Sequence, residues 1–137
     1  MSSFDSSLRQ ITDRIHAAAA DRTPLRIRGG GSKDFYGQSL QGELLDTTPL
    51  KGIISYEPSE LVVTVRAGTP LADLEAALAE QGQCLAFEPP RFGRSGAAPG
   101  TATCGGMVAA GLSGPARASV GAVRDFVLGV TLLNGRG

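Results

Sequence analysis

The chain has 137 residues, of which 42% are hydrophobic and 19% charged. That is enough for one ordinary domain with its own core, and it excludes a disordered composition. Thirteen basic and thirteen acidic residues cancel, which excludes the electrostatic footprint of a nucleic-acid binder. One histidine (His16) and two cysteines (Cys84 and Cys104) exclude a zinc finger and a disulfide framework, and they leave little from which to build a metal site.

The start, MSSFDSSLRQ, lacks a basic stretch followed by an apolar run, so it does not read as a signal peptide. From Phe4 to Ala20, apolar side chains recur at Leu8, Ile11, Ile15, Ala18 and Ala19, the spacing of an amphipathic helix that ends near Asp21. His16 reads as an exposed or half-buried residue of that helix. Thr23-Pro24 stops it, and Leu25-Arg26-Ile27-Arg28 alternates as a short strand running straight into Gly29-Gly30-Gly31-Ser32-Lys33. Residues 43–47 and 52–56 read as strands, Glu57-Pro58-Ser59-Glu60 as a turn, and Leu61 to Ala67 as the strongest strand of the chain. A helix follows, with Thr69 as its cap, Pro70 at its first position, a core face of Leu71, Leu74, Ala77 and Leu78, and Gly82 at its end. Residues 88–100 show no periodicity. Residues 105–112 form a short, closely packed helix, and Asp125 to Leu133 reads as a strand. Cys84 and Cys104 read as small core residues. The longest uncharged stretch, between Arg94 and Arg117, carries six glycines and two prolines and reads as loop and short helix, not as a transmembrane segment.

Asn134-Gly135 after an apolar strand signals a hairpin turn, yet no return strand follows. The expectation is that these residues are the N-terminal piece of a longer protein, whose uncovered last strand can pair with another copy. The alternative is that the last strand is the edge of a small domain. The expected division is a first unit over residues 1–67 and the first part of a second over 68–137.

The neutral total conceals a pattern. Residues 1–33 carry a net charge of +3, residues 34–88 a net −7 and residues 91–137 a net +4. The two basic segments hold the two densest glycine clusters. Basic, glycine-rich loops suit an anion such as a diphosphate, because they offer free backbone N–H groups and room to approach them; the plain alternative is solvated surface charge. The segment Arg28 to Asp34 is not a P-loop and lacks the third glycine of the dinucleotide fingerprint. No Ser–His or Cys–His relay can be assembled convincingly around His16.

Three segments in order remain: RGGGSK over 28–33, EPP at 88–90 followed by TATCGG over 101–106 with Gly111 and Gly114, and GAVRDFVLG over 121–129. Together they resemble the α+β, PCMH-type (vanillyl-alcohol-oxidase-like) FAD-binding domain, and their wording resembles that of the FAD-binding subunits of bacterial glycolate oxidases. The resemblance implies FAD as cofactor. Arg28, Gly29, Gly30, Gly31, Ser32 and Lys33 would hold its diphosphate. Thr101, Thr103, Gly105, Gly106 and Gly111 would approach from the other side, with Pro90 near the nucleotide. Asp125 is either a cofactor contact or half of a buried pair with Arg124. It further implies oxidation of a small 2-hydroxy acid such as glycolate, and partnership with a second flavoprotein subunit and an iron–sulfur subunit. Two unpaired cysteines without an export signal point to a reducing, cytoplasmic setting, with a peripheral place on the inner membrane as the alternative. No catalytic residue is nominated, and the 137 residues alone are expected to be colourless and inactive. An assembly subunit that keeps the fold without flavin chemistry, and a simple nucleotide-binding module, are the alternatives.

Overall fold

The computed structural model describes residues 3–92 and 102–137. Its elements are mixed in the α+β manner: α1 (Ser3–Asp21), β1 (Leu25–Arg28), β2 (Glu43–Asp46), β3 (Ile53–Glu57), β4 (Val62–Val65), α2 (Leu71–Glu80), α3 (Cys104–Ala110), α4 (Arg117–Val120) and α5 (Val123–Phe126).

The four-residue spacing of Ile11 and Ile15 puts both on one face of α1. There they are buried against Leu45 of β2, with Leu25 and Leu50 at the margin. The helix ends as Arg22 turns left-handed and the Thr23 amide donates to the Ala18 carbonyl at 2.9 Å. Pro24 could not have continued it. Strands β1 and β2 pair in parallel, Leu25 opposite Glu43 and Arg28 opposite Asp46. The glycine loop therefore leaves the carboxyl end of β1.

Strands β3 and β4 form an antiparallel pair joined by a 3-10 turn at Pro58–Glu60, with an irregularity between Ile53 and Ser55. Their half-buried Tyr56, Val63 and Val65 pack on a second cluster made by Leu71, Leu74 and Leu78 of α2, Phe87, Met107 of α3 and Val123 of α5. Full burial of a Leu or Phe side chain is worth roughly 1.5–3 kcal/mol, so this cluster is the larger source of stability. The stretch after β4 then pairs with the entry to α3. Pro70 and Thr103 form an antiparallel bridge, the Leu71 amide donates to Ala102 at 2.8 Å, and the Cys104 amide donates to Thr69 at 2.9 Å.

Three expectations need correction. Thr69 does not cap α2. Its hydroxyl accepts from the Gly52 amide (2.9 Å) and donates to the Gly52 carbonyl (3.1 Å), and Pro70 stands at the N-cap without a side-chain bond. A hydroxyl only 2% exposed must find partners inside, and the start of β3 supplies both. Cys84 is exposed. Past Gly82 the chain alternates, so Leu85 and Phe87 turn toward the core and Cys84 away from it. Residues 125–133 are not a strand. Residues 123–126 make one helical turn, with the Asp125 carboxylate accepting from the Ala122 amide at 2.7 Å. Val127 to Leu133 finds no neighbouring strand among the described residues, and a strand exists only through bonds to one. The turn expected at Asn134-Gly135 is present, with the Gly137 amide donating to the Asn134 carbonyl at 3.0 Å. Among the described residues, no helix is long and apolar enough to cross a membrane.

Candidate cofactor site

The loop at the end of β1 is held at both ends. The Arg28 carbonyl accepts from the amide and the hydroxyl of Thr47, at 3.0 and 3.3 Å. The Arg28 guanidinium reaches across the loop to Asp34, with Nε 3.0 Å from each carboxylate oxygen and Nη2 2.6 Å from Oδ2. This bond raises the Arg28 pKa above its already high ordinary value, so the group is a fixed cation. Gly31 sits beneath the guanidinium with φ +76°, and a Cβ there would run into it. The sign of φ favours glycine at that position, and a side chain there would have to displace the guanidinium. The Asp34 amide donates to the Gly31 carbonyl at 3.2 Å, closing the turn.

Between these anchors, the amides of Gly29, Gly30, Gly31, Ser32 and Lys33 donate to no backbone or side-chain group among the described residues. Five residues that are each part-buried and present consecutive unspent donors make a cradle of the kind anions use.

The second glycine segment meets this loop at one point. A Cβ on Gly29 would lie 2.7 Å from Thr103 Oγ1, so the two segments that sequence reading paired do face each other there. Thr103 is buried and caps α3, its hydroxyl accepting from the Gly106 amide at 3.2 Å. The remaining amides of that helix start are already committed: Cys104 to Thr69, Gly105 to Ala67 (2.8 Å) and Met107 to Thr103. Gly105 is glycine because a Cβ would stand 2.7 Å from the Ala67 side chain. Gly111 ends α3 in the left-handed conformation, its amide on the Met107 carbonyl. Thr103 is thus the point at which this segment meets the loop, whereas Gly105 packs on Ala67 and Gly111 stands at the other end of α3, and the amides of Gly105, Gly106 and Gly111 are spent on the protein itself.

Of the other expected contacts, Thr101 lies outside the described residues. Pro90 is part-buried, and two residues after it Phe92 packs edge-on against Phe35 at 5.1 Å, which brings this segment beside the end of the loop. Arg124 and Asp125 are not a buried pair. Their side chains are 81% and 53% exposed and 3.9 Å apart, because Asp125 is turned to the Ala122 amide. A groove of about 420 Å³ lined by Val108, Gly111, Arg117, Val123, Arg124 and Val127 lies at the far end of α3, not at the loop. Cys104 is 2% exposed, and burial, with the charge of Asp73 behind it, pushes its thiol up to about 11. It is therefore a packed thiol at neutral pH, unsuited to nucleophilic or covalent attachment chemistry. Sequence reading missed Asp34, Thr47 and the Phe35–Phe92 contact. Opposite charges flanking a glycine run, at Arg28 and Asp34, were the available signal for the first.

Comparison with known proteins bears on this geometry. The chain is 47% identical over 127 residues to glycolate oxidase subunit GlcE of Escherichia coli (strain K12), a match covering 93% of this chain and 35% of that relative. The chain therefore spans about a third of the length of the curated relative it matches. No solved structure matches it. A family model described as the FAD binding domain matches residues 6–137, nearly the whole length of the chain. Unspent loop amides and a glycine-lined approach are what a diphosphate-bearing cofactor requires of a backbone, and the chain belongs to the FAD-binding-domain family.

Proposed function

We propose that this chain supplies the diphosphate-holding part of the FAD site in a flavin-dependent oxidoreductase that converts a small 2-hydroxy acid, such as glycolate, to its 2-oxo acid. The observation that carries the reading is the run of unspent amides from Gly29 to Lys33, anchored at Arg28 and Asp34 and set against Thr103. The backbone fits the group. Consecutive N–H donors match phosphate oxygens, Ser32 adds a hydroxyl, and Gly29 and Gly31 let the loop lie close against Thr103 and the Arg28 guanidinium. FAD, when bound, accepts the hydride, while the protein supplies position and electrostatics. On the expected division the loop belongs to the first unit (1–67) and Thr103 to the second (68–137), and their contact supports a cofactor held near the junction.

The similarity to a glycolate oxidase subunit supports the substrate class and supports work within a multisubunit enzyme. A second flavoprotein and an iron–sulfur subunit are the partners that would carry electrons onward, in a cytoplasmic or peripheral inner-membrane setting. Leu128, Val130 and Leu132, alternating and 82%, 63% and 83% exposed, are the segment through which two copies would pair.

The test, made on the full-length protein, is flavin retention through gel filtration, read as visible absorbance per protein. Gly30→Val and Gly31→Val are expected to lose most of the bound flavin, and Lys33→Ala little, because backbone donors and close approach carry the site. Retention by both valine variants, with loss in Lys33→Ala, would sink the reading.

A further inference from the structure

We propose that Arg28 and Asp34 form a latch that holds the 29–33 loop in its donor-presenting shape before any ligand arrives. Both are then positioning residues, and the proposal rests on the reading of that loop as the diphosphate cradle. The loop spends none of its amides internally, so it has no ladder of its own to keep it in shape. What it has is a brace from one end to the other. Arg28 closes the strand, Asp34 opens the following turn, and the guanidinium bridges them through both carboxylate oxygens. The brace lies across Gly31, so it packs against the loop it spans.

The geometry asks for arginine. Its planar guanidinium engages both carboxylate oxygens with directed N–H groups, whereas a lysine ammonium is a point charge on a flexible stem. The pair is also charge-neutral and only partly exposed, with side chains 39% and 35% accessible. The brace takes up the Nε–H and an Nη2–H, and the unspent amides are the backbone donors left for an anion. A loop already ordered avoids the entropy that a slack loop must lose on binding.

Two readouts on the full chain decide the matter. The first needs no ligand: backbone order parameters of the Gly29 to Ser32 amides by ¹⁵N relaxation. The second is FAD affinity by flavin fluorescence. With Asp34→Asn, the order parameters are expected to fall from the rigid range of about 0.85 to below about 0.6, and FAD affinity to fall about tenfold. Arg28→Lys should behave likewise, and the double variant should be no worse than the weaker single, as two halves of one device require. Unchanged order parameters in Asp34→Asn overturn the latch whatever FAD does. Tighter FAD binding in Asp34→Asn also overturns it, since Arg28 would then be a phosphate ligand that Asp34 restrains. A loosened loop with unaltered FAD affinity supports the latch and instead overturns the diphosphate reading. Asp34→Glu, which keeps the charge on a longer stem, should recover part of both signals and separates the latch from a fold defect.

Discussion

The two glycine segments look alike in sequence and do opposite things in the fold. Over residues 29–33 the backbone donors are unspent, and a side-chain brace from Arg28 to Asp34 fixes the ends. At the start of α3 the amides of Cys104, Gly105, Gly106 and Met107 are all occupied, and glycine serves only to let Ala67 and Thr103 come close. The difference teaches that glycine has two uses, presentation and packing. Which one applies depends on where the neighbouring carbonyls lie.

The largest expected effect tests the packing side. Gly105→Val places carbon against Ala67, whose backbone and side chain cannot both withdraw. A loss of about 3 kcal/mol or more in unfolding free energy is expected, measured by urea denaturation. Gly31→Ala, strained by its positive φ but facing a flexible guanidinium, should cost about 1–2 kcal/mol. Equal costs at the two positions would erase the comparison.

Cys104 sharpens it through pH. A thiol that ionises at about 11 in the fold, against an ordinary 9.0, keeps its proton in the folded state while the unfolded chain loses it. The unfolded state then binds fewer protons, so stability is intact below about pH 9 and is lost as pH rises toward 11, by at most about 2.7 kcal/mol. Melting the wild type and Cys104→Ala across that window should show the steeper decline only in the wild type. Parallel declines would mean that the helix start is not sealed.

The smallest effect concerns the contact between the segments. Thr103→Val removes the cap acceptor for Gly106 and should cost about 1 kcal/mol, with Thr103→Ser near wild type. FAD affinity should move no more than stability does. A selective loss of affinity would make Thr103 a ligand contact and break the division between presenting loop and supporting wall.

Much of this was legible because it is local. Leu8, Ile11 and Ile15 write α1 in their spacing, and Leu71, Leu74 and Leu78 write α2. Pro24 and Gly82 mark stops, and the loop after β1 is announced by its glycines. What escaped depends on distant partners. Thr69 looked like a cap because Gly52 stands far away in sequence, and Cys84 looked like core because its alternation with Leu85 and Phe87 shows only in three dimensions. The residues after Asp125 carry strand composition, but no strand lies beside them among the described residues. At the site, the glycines named the loop, whereas the brace needed the fold to bring Asp34 back to Arg28 and Thr47 up to the strand end.

The pairing of residues 67–71 with 102–105 also has a kinetic consequence. It joins positions more than thirty residues apart, so Met107 and Val123 can reach Leu71 and Leu74 only after a long loop has closed. Closing a loop costs entropy before any contact repays it, although each doubling of loop length adds only about 0.6 kcal/mol. Folding of the larger core should therefore be slow compared with formation of α1 or α2, with the 67–71 pairing as its late step. The loop amides of residues 29–33 would then acquire their backing at Thr103 only at the end of folding, and a chain that folds incompletely would lack the proposed anion cradle even with α1, β1 and β2 in place.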